Sequence, residues 1–351
     1  MNCRITSLLL ACSLLLLASP SLAARSAVGP TAWVSSNHIQ VIDIDSGRVV
    51  GRLPLGEFIH EMQFDRSGEK LYVGSSKALR VVDSQRMAFT DTLARRTTKA
   101  LAVSNDGSHV VAIHPGDAAV SQASRKAGTP LPLATLTVYS TASNSPLRSW
   151  PVPAMSFDVA LSPAGDQVYV LDAPAGQVQV YSLQGELVEE IVVAPTGSDG
   201  KPVRAMLGWM ALSPDGSTLV VPVTTATGAL LAEVDLAARR APTARLRHSE
   251  LRATGRIQGL AWNQRGDEVL ITSAHALCRW SKPGGEQVWE AQAINYVDIE
   301  PVPGSSNSVV VAPVFSEANK SGGVSVLSAT GEVLRSIELL DMSPFFVAVR
   351  P

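Results

Sequence analysis

The chain has 351 residues, a formal net charge of -2 and an apolar fraction of 46%. So small a charge argues against a general nucleic-acid or anionic-membrane surface. The length exceeds what one hydrophobic core usually serves, which points to a core divided among units.

Residues 1–23 read as a secretory signal: Arg4 gives the positive start, an apolar run follows from Leu8 to Leu17, and Ser21-Leu22-Ala23 resembles a cleavage site. The run is too short to span a membrane. Cys12, after Leu9-Leu10-Ala11, faintly resembles a lipoprotein box, but the apolar run continues past it to Leu17, which favours ordinary cleavage. The chain therefore divides into a signal, 1–23, and a single domain, 24–351, with a periplasmic or secreted destination and no transmembrane segment. Beyond the signal only Cys278 remains, so no internal disulfide can form.

Turn glycines at Gly68, Gly107, Gly165, Gly216, Gly266 and Gly304 recur with a basic period of roughly 38 to 39 residues, lengthened by insertions. Their surroundings share a chemistry: Ser104-Asn105-Asp106-Gly107, Ser162-Pro163-Ala164-Gly165, Ser213-Pro214-Asp215-Gly216. Proline presets a negative φ, Ser or Asp bonds the local backbone, and glycine accepts a positive φ. A strand precedes each turn: His60 to Phe64, Lys99 to Val103, Phe157 to Leu161, Gly208 to Leu212, Gln258 to Trp262 and Asn295 to Ile299, with Phe345 to Val349 as a seventh. β-Branched runs such as Val110-Val111-Ala112 and Val309-Val310-Val311 follow the turns, then a third strand and a weaker fourth. No helical period is evident beyond the signal.

Four short strands per period, repeated seven times, predict an all-β, seven-bladed β-propeller of four-stranded antiparallel blades. The chain ends on an innermost strand without successors and begins with three strands without a predecessor, Thr31 to Val34, Ile39 to Ile42 and Val49 to Leu53. One C-terminal and three N-terminal strands are thus expected to close the ring and remove its open edges.

Met210-Ala211-Leu212-Ser213-Pro214-Asp215-Gly216, Leu71-Tyr72-Val73, Val41-Ile42-Asp43 and Val50-Gly51-Arg52-Leu53-Pro54-Leu55-Gly56 resemble the unit of the YVTN-type seven-bladed propellers. Tyr72-Val73-Gly74-Ser75 departs from the family's Tyr-Val-Thr-Asn signature. The resemblance implies the fold and leaves the activity open, since that family's relatives include surface-layer proteins, heavy subunits of periplasmic amine dehydrogenases and lactonase-like enzymes.

In such a ring, turns after the first and third strands of a blade lie on one face and the others on the opposite face. Four insertions, His114 to Ala134, Ala194 to Ala205, Arg239 to Arg256 and Pro313 to Gly323, are assigned to the second set, which places the working face there. Neutral insertions at tolerant sites would look the same. The mouth of the channel on that face is expected from His60, Lys99, Phe157, Gly208, Gln258, Asn295 and Phe345, with Glu61, Asp158, Trp209 and Tyr296 one position further in. This mixture suits a small-ligand or peptide pocket, or merely plugs the channel.

Five histidines, His38, His60, His114, His248 and His275, map to the same face, but none has a ligand spacing, so neither a metal nor a cofactor is expected. Arg204, Arg245, Arg247 and Arg252 make a basic loop system suited to an acidic partner or an anionic ligand. The chain has no Gly-x-Ser-x-Gly elbow, haem-attachment motif, His-Glu-x-x-His or phosphate loop. Cys278 reads as a small core residue, as do Trp33, Trp262 and Trp280 as packing groups, whereas Trp209 is expected to face a ligand. The resulting expectation is an exported, non-catalytic binding or scaffolding propeller with a periplasmic protein or anionic small ligand as partner. The alternatives are a lactonase-like hydrolase using Glu61, Asp158 and His60, and the propeller subunit of a periplasmic amine or quinoprotein dehydrogenase.

Overall fold

A computed structural model describes residues 29–196, 206–207, 209–226, 228–237, 246–251, 257–273, 276–281, 285–289, 295–316, 321–339 and 343–351. The signal segment, Cys12, Gly208, His275, Arg204, Arg245 and Arg252 lie outside the described residues. Among those described, no helix is long and apolar enough to cross a membrane.

The strands form seven antiparallel sheets, each spanning one repeat. Their inner strands are Ile59–Phe64, Ala100–Val103, Ser156–Leu161, Met206–Leu207 with Ala211–Leu212, Ile257–Trp262, Asp298–Pro301 and Phe346–Val349, in blades 1 to 7 respectively. Blade 7 is closed as expected: Phe346–Val349 pairs with Thr31–Ser35, with Trp33 opposite Ala348 and Val34 opposite Val347. The strands His38–Asp43 and Arg48–Pro54 complete it.

The core is distributed rather than central. Each of seven apolar clusters joins one blade to the next: Tyr72, Leu79, Leu101 and Val110 between blades 1 and 2, for example, or Val309, Val324, Ala32 and Val347 between blades 6 and 7. The β-branched runs supply both faces of the middle strands, so Val110, Val111, Val309 and Val310 are all fully buried. Removing a large side chain from such a layer costs about 2–5 kcal/mol. Cys278 is buried in the layer between blades 4 and 5, and Trp33, Trp262 and Trp280 are buried as well.

The tight turns between first and second strands are held by the chemistry read from their sequence. Ser213 Oγ accepts from Thr218 N at 2.9 Å and donates to Asp215 Oδ1 at 2.6 Å. Such hydrogen bonds hold the matching Asp106 carboxyl down at about 2. Gly216 adopts φ +72°, and a Cβ there would meet Pro163 Cδ of the preceding blade at 2.4 Å. That turn therefore requires glycine both for its backbone and for its neighbour.

Four sequence expectations change. The insertion after His114 carries a helix, Ala118–Ala127, capped by the Asp117 carboxylate on Ala119 N and Val120 N and ended by Gly128 at φ 66°. None of its residues is buried, so no apolar stripe announced it; the Asp and Gly caps were the available signal. The inner strand of blade 4 is interrupted, its two pieces being Met206–Leu207 and Ala211–Leu212. The stretch from Arg239 to Arg256 is not one loop: the outer strand Leu246–Leu251 runs through it, and Leu236 and Ala237, which follow the third strand Ala229–Asp235, lead away on the opposite face, residues 238–245 and 252–256 lying outside the described residues. The connection at 115–133 and the described start of the next one, 193–196, follow a second and a fourth strand and remain on the expected face.

The fourth change matters most for the site. In blade 1 the turn is framed by Asp65 N to Lys70 O and Gly68 N to Asp65 O; in blade 6 the same frame is Val302 N to Asn307 O and Ser305 N to Val302 O. Ser305 therefore occupies the place of Gly68, while Gly304 follows Pro303 one position earlier with φ +71°. The expected blade 6 strand lies two positions too early, and the shifted glycine accounts for one of them. Asp298, not Tyr296, is the counterpart of Glu61, and Glu300 is the counterpart of Gln63.

Candidate functional site

With the register corrected, equivalent inner-strand positions read Glu61, Ala100, Asp158, Trp209, Gly259, Asp298 and Phe346 in one tier. The tier below reads Gln63, Ala102, Ala160, Ala211, Ala261, Glu300 and Ala348. The lower tier is alanine except for two polar groups, which leaves the channel open beneath the upper one. A cavity of about 170 Å³ is lined by Glu61, Asp158, Trp209, Gln258, Asp298, Glu300 and Phe346 among others. A second, of about 340 Å³, continues along Ala102, Ala160, Ala211 and Ala261 to the turns at Asn105, Pro163 and Pro214. Gln63, Met210, Leu260 and Glu300 border both.

The upper cavity is walled by strands placed one against the next. β-Bulges just before Glu61, Asp158 and Gly259, where His60, Phe157 and Gln258 are the extra residues, redirect the strand entrances. A Cβ on Gly259 would meet Asp298 Cα and Thr272 Oγ1, each at 2.7 Å, so blades 5 and 6 close up here only because the position has no side chain.

Two of the acids fasten adjacent blades. Asp158 Oδ2 accepts from Met210 N at 2.9 Å and its Oδ1 from Val159 N at 2.8 Å. Asp298 Oδ2 accepts from Val347 N at 2.9 Å and its Oδ1 from Ile299 N at 2.9 Å, which ties the ring-closing strand to blade 6. Glu61 Oε1 accepts from Met62 N at 3.1 Å, and Gln63 Oε1 from Val103 N at 3.0 Å.

Charge is expensive in this ring. Burial pushes Asp158 up to about 6 against the pull of the Met210 and Val159 amides, and Asp298 up to about 7 against those of Val347 and Ile299. Burial, then the Asp298 charge, raises Glu300 to about 8. Burial first, then Asp158 and Asp298, also raises Glu61 well above its usual range. Asp158 is buried, while Glu61, Asp298 and Glu300 keep part of their surface open to the cavity. None of the four forms an ion pair among the described residues. No three His, Cys, Asp or Glu side chains there are grouped as a metal ion would require.

Around the mouth, Phe58, Met155 and Phe345 are exposed by 43%, 46% and 36%, each immediately ahead of an inner strand. The Phe58 ring lies 5.7 Å from that of Phe345 and 5.1 Å from His60. His60 is half-buried and titrates below its ordinary value, through burial and then the Lys99 charge.

The structure brings Glu61, Asp158, Trp209 and Gln258 to one cavity. Gln258 Nε2 also donates to Asn295 Oδ1 at 3.0 Å, which places Asn295 at the exposed rim. His60 and Lys99 stand at the rim. Tyr296 is buried among Ala261, Leu277 and Val310, its hydroxyl donating to Ser325 Oγ at 3.3 Å, and does not line the cavity. Arg247 is exposed on the outer strand of blade 4, at the far radius of the ring from the channel. Sequence reasoning missed Asp298 and Glu300; the spacing of Pro303 and Gly304 within the turn was the signal that could have found them. His114 is buried, bonded to Thr97 O at 3.0 Å and Tyr139 Oη at 2.9 Å, and burial lowers it to about 4, so it serves the core.

Fold and site together define a seven-bladed β-propeller with an acidic chamber under one mouth of its channel. No protein-family model and no curated protein matches the chain. Among solved structures it is similar to Kuenenia stuttgartiensis hydrazine synthase, with 15% identity and a TM-score of 0.57 over 77% of this chain and 76% of that one. It is also similar to a functionally unknown protein from Desulfotomaculum acetoxidans, with 14% identity and a TM-score of 0.61 over 92% of this chain and 98% of that one. Identities this low carry the fold and nothing further.

Proposed function

We propose that this chain is an exported, non-catalytic binding or scaffolding propeller that receives its ligand or partner at the channel mouth on the side of the long connections. One observation carries this reading: polar groups from blades 1, 3, 5 and 6 converge on a single cavity beneath an exposed apolar rim. The signal-like residues 1–23 support export, and the resemblance to YVTN-type propellers fits a family in which the scaffold is reused. Because the chamber is acidic, the anionic ligand expected from the arginines is not proposed for this mouth. The hydrazine synthase likeness brings no activity to this chain.

A photo-crosslinking residue at position 209, compared with one at Val50 on the outer edge of blade 7, tests the reading in native extract. Capture from position 209 alone is expected; equal capture from both, or from Val50 alone, overturns it. Amino-terminal sequencing of the exported protein checks the signal, a start at Ala24 being expected.

A second reading, the lactonase-like hydrolase, is favoured by Asp158 and Asp298, whose values near 6 and 7 suit general acid or base work. It requires turnover on a lactone panel with added divalent metals that is lost in Asp298→Asn; no turnover removes it.

A further inference from the structure

We infer that the occupant of the mouth is a protruding segment of a partner protein in which apolar residues flank a lysine or arginine, the basic side chain entering the chamber of Glu61, Asp158, Asp298 and Glu300. The inference rests on the mouth being the binding site and adds what binds there.

Three features point the same way. First, the chamber holds four carboxylates whose hydrogen-bond donors, where present, are backbone amides, Met62 N, Val159 N, Met210 N, Ile299 N and Val347 N. Those amides occupy one lone pair each on acids with about four acceptor sites apiece, so acceptor capacity remains towards the cavity. Second, the acids are not grouped for a metal, while a cavity of about 170 Å³ admits the end of a long side chain and not a folded element. An ammonium or guanidinium with several donors can satisfy oxygens that lie around it rather than at a single point. Third, Phe58, Met155 and Phe345 are apolar and exposed around the entrance, with Trp209 and Phe346 further in. A bare cation would leave that rim uncovered; a peptide segment covers it, and the aromatic faces attract the cation as it passes.

The charged groups facing the mouth set the direction of entry. Lys99 stands exposed at the start of the inner strand of blade 2, and His60 lies beside Phe58. The basic side chain is therefore directed to the opposite side of the ring, where Asp298 and Glu300 project from blade 6. Binding a cation favours the charged acids, so capture strengthens as pH rises from 6 to 8.5 and weakens below 6, where the chamber holds more of its protons.

Selection of a random heptapeptide display library on the full chain at pH 8 tests this. Enriched peptides are expected to carry Lys or Arg between apolar residues, to bind at least ten-fold more weakly when that residue becomes norleucine, and to lose a similar factor against Asp298→Asn/Glu300→Gln. That pair keeps side-chain size and an acceptor for Val347 N, and circular dichroism checks that it folds; Glu300→Gln alone serves if it does not. Peptides that depend on Phe58 and Trp209, shown by Phe58→Ala and Trp209→Ala, yet ignore both the norleucine change and the acid variants, overturn the inference and leave the mouth reading standing. Enrichment insensitive to every mouth variant, or no enrichment at all, overturns both.

Discussion

Glu57 and Glu61 are carboxylates in protein surroundings four residues apart in sequence, and they titrate in opposite directions. Glu57, in the connection between blades 7 and 1, is only 7% exposed, and burial alone would raise it. Hydrogen bonds from Ser75 Oγ at 2.5 Å and Arg80 Nη2 at 2.6 Å, with the Arg80 charge, outweigh burial and hold it below its usual value. Glu61, four positions later, has one backbone amide and three like-charged neighbours, and rises. Burial therefore does not decide a carboxylate's charge; the chain supplies a cation to one and withholds it from the other.

The largest effect that could break this comparison is the pH dependence of stability. The raised acids bind more protons folded than unfolded, so their favourable contribution is complete below about pH 4 and lost as pH climbs through about 6, 7 and 8 for Asp158, Asp298 and Glu300. Glu57 acts with the opposite sign, contributing above the normal glutamate range and losing that contribution on acidification through its lowered value. Denaturant unfolding between pH 5 and 9 should show stability falling by about 3 kcal/mol or more; a flat or rising profile contradicts the raised acids.

Next in size, Glu57→Ala leaves Arg80 and Ser75 without their partner. It should lower stability by about 2–3 kcal/mol at pH 7 in denaturant unfolding, and a loss below 0.5 kcal/mol would show the pair to be inert. The smallest effect has the reverse sign: Glu300→Gln should raise stability by about 1 kcal/mol at pH 9 and by nothing measurable at pH 5. A destabilisation at both would mean that Glu300 is paired after all.

The same contrast explains what was legible in the sequence. The seven sheets, the closing strand and the turns follow from periodic valines and Ser-Asp-Gly chemistry, since each is a local pattern repeated. Glu61, Asp158, Trp209 and Gln258 were found because their turns share one register. Asp298 and Glu300 were hidden because the blade 6 strand was placed two positions early; the Pro-Gly turn, which moves the marking glycine by one, explains half of that displacement, and the rest is the choice of Asn295 as the strand start. The helix 118–127 was hidden because it buries nothing. Position 259 could not be read as a site at all; a glycine that lets blade 5 approach Asp298 is visible only in three dimensions.

The most direct test of the account is a ¹³C carboxyl titration of Glu61, Asp158, Asp298, Glu300 and Glu57 by NMR in the free protein. The account predicts midpoints near 6, 7 and 8 for Asp158, Asp298 and Glu300, Glu61 well above the ordinary glutamate value and Glu57 below it. Channel acids that all titrate near 4 would mean the chamber is already neutralised or fully hydrated, and would contradict it.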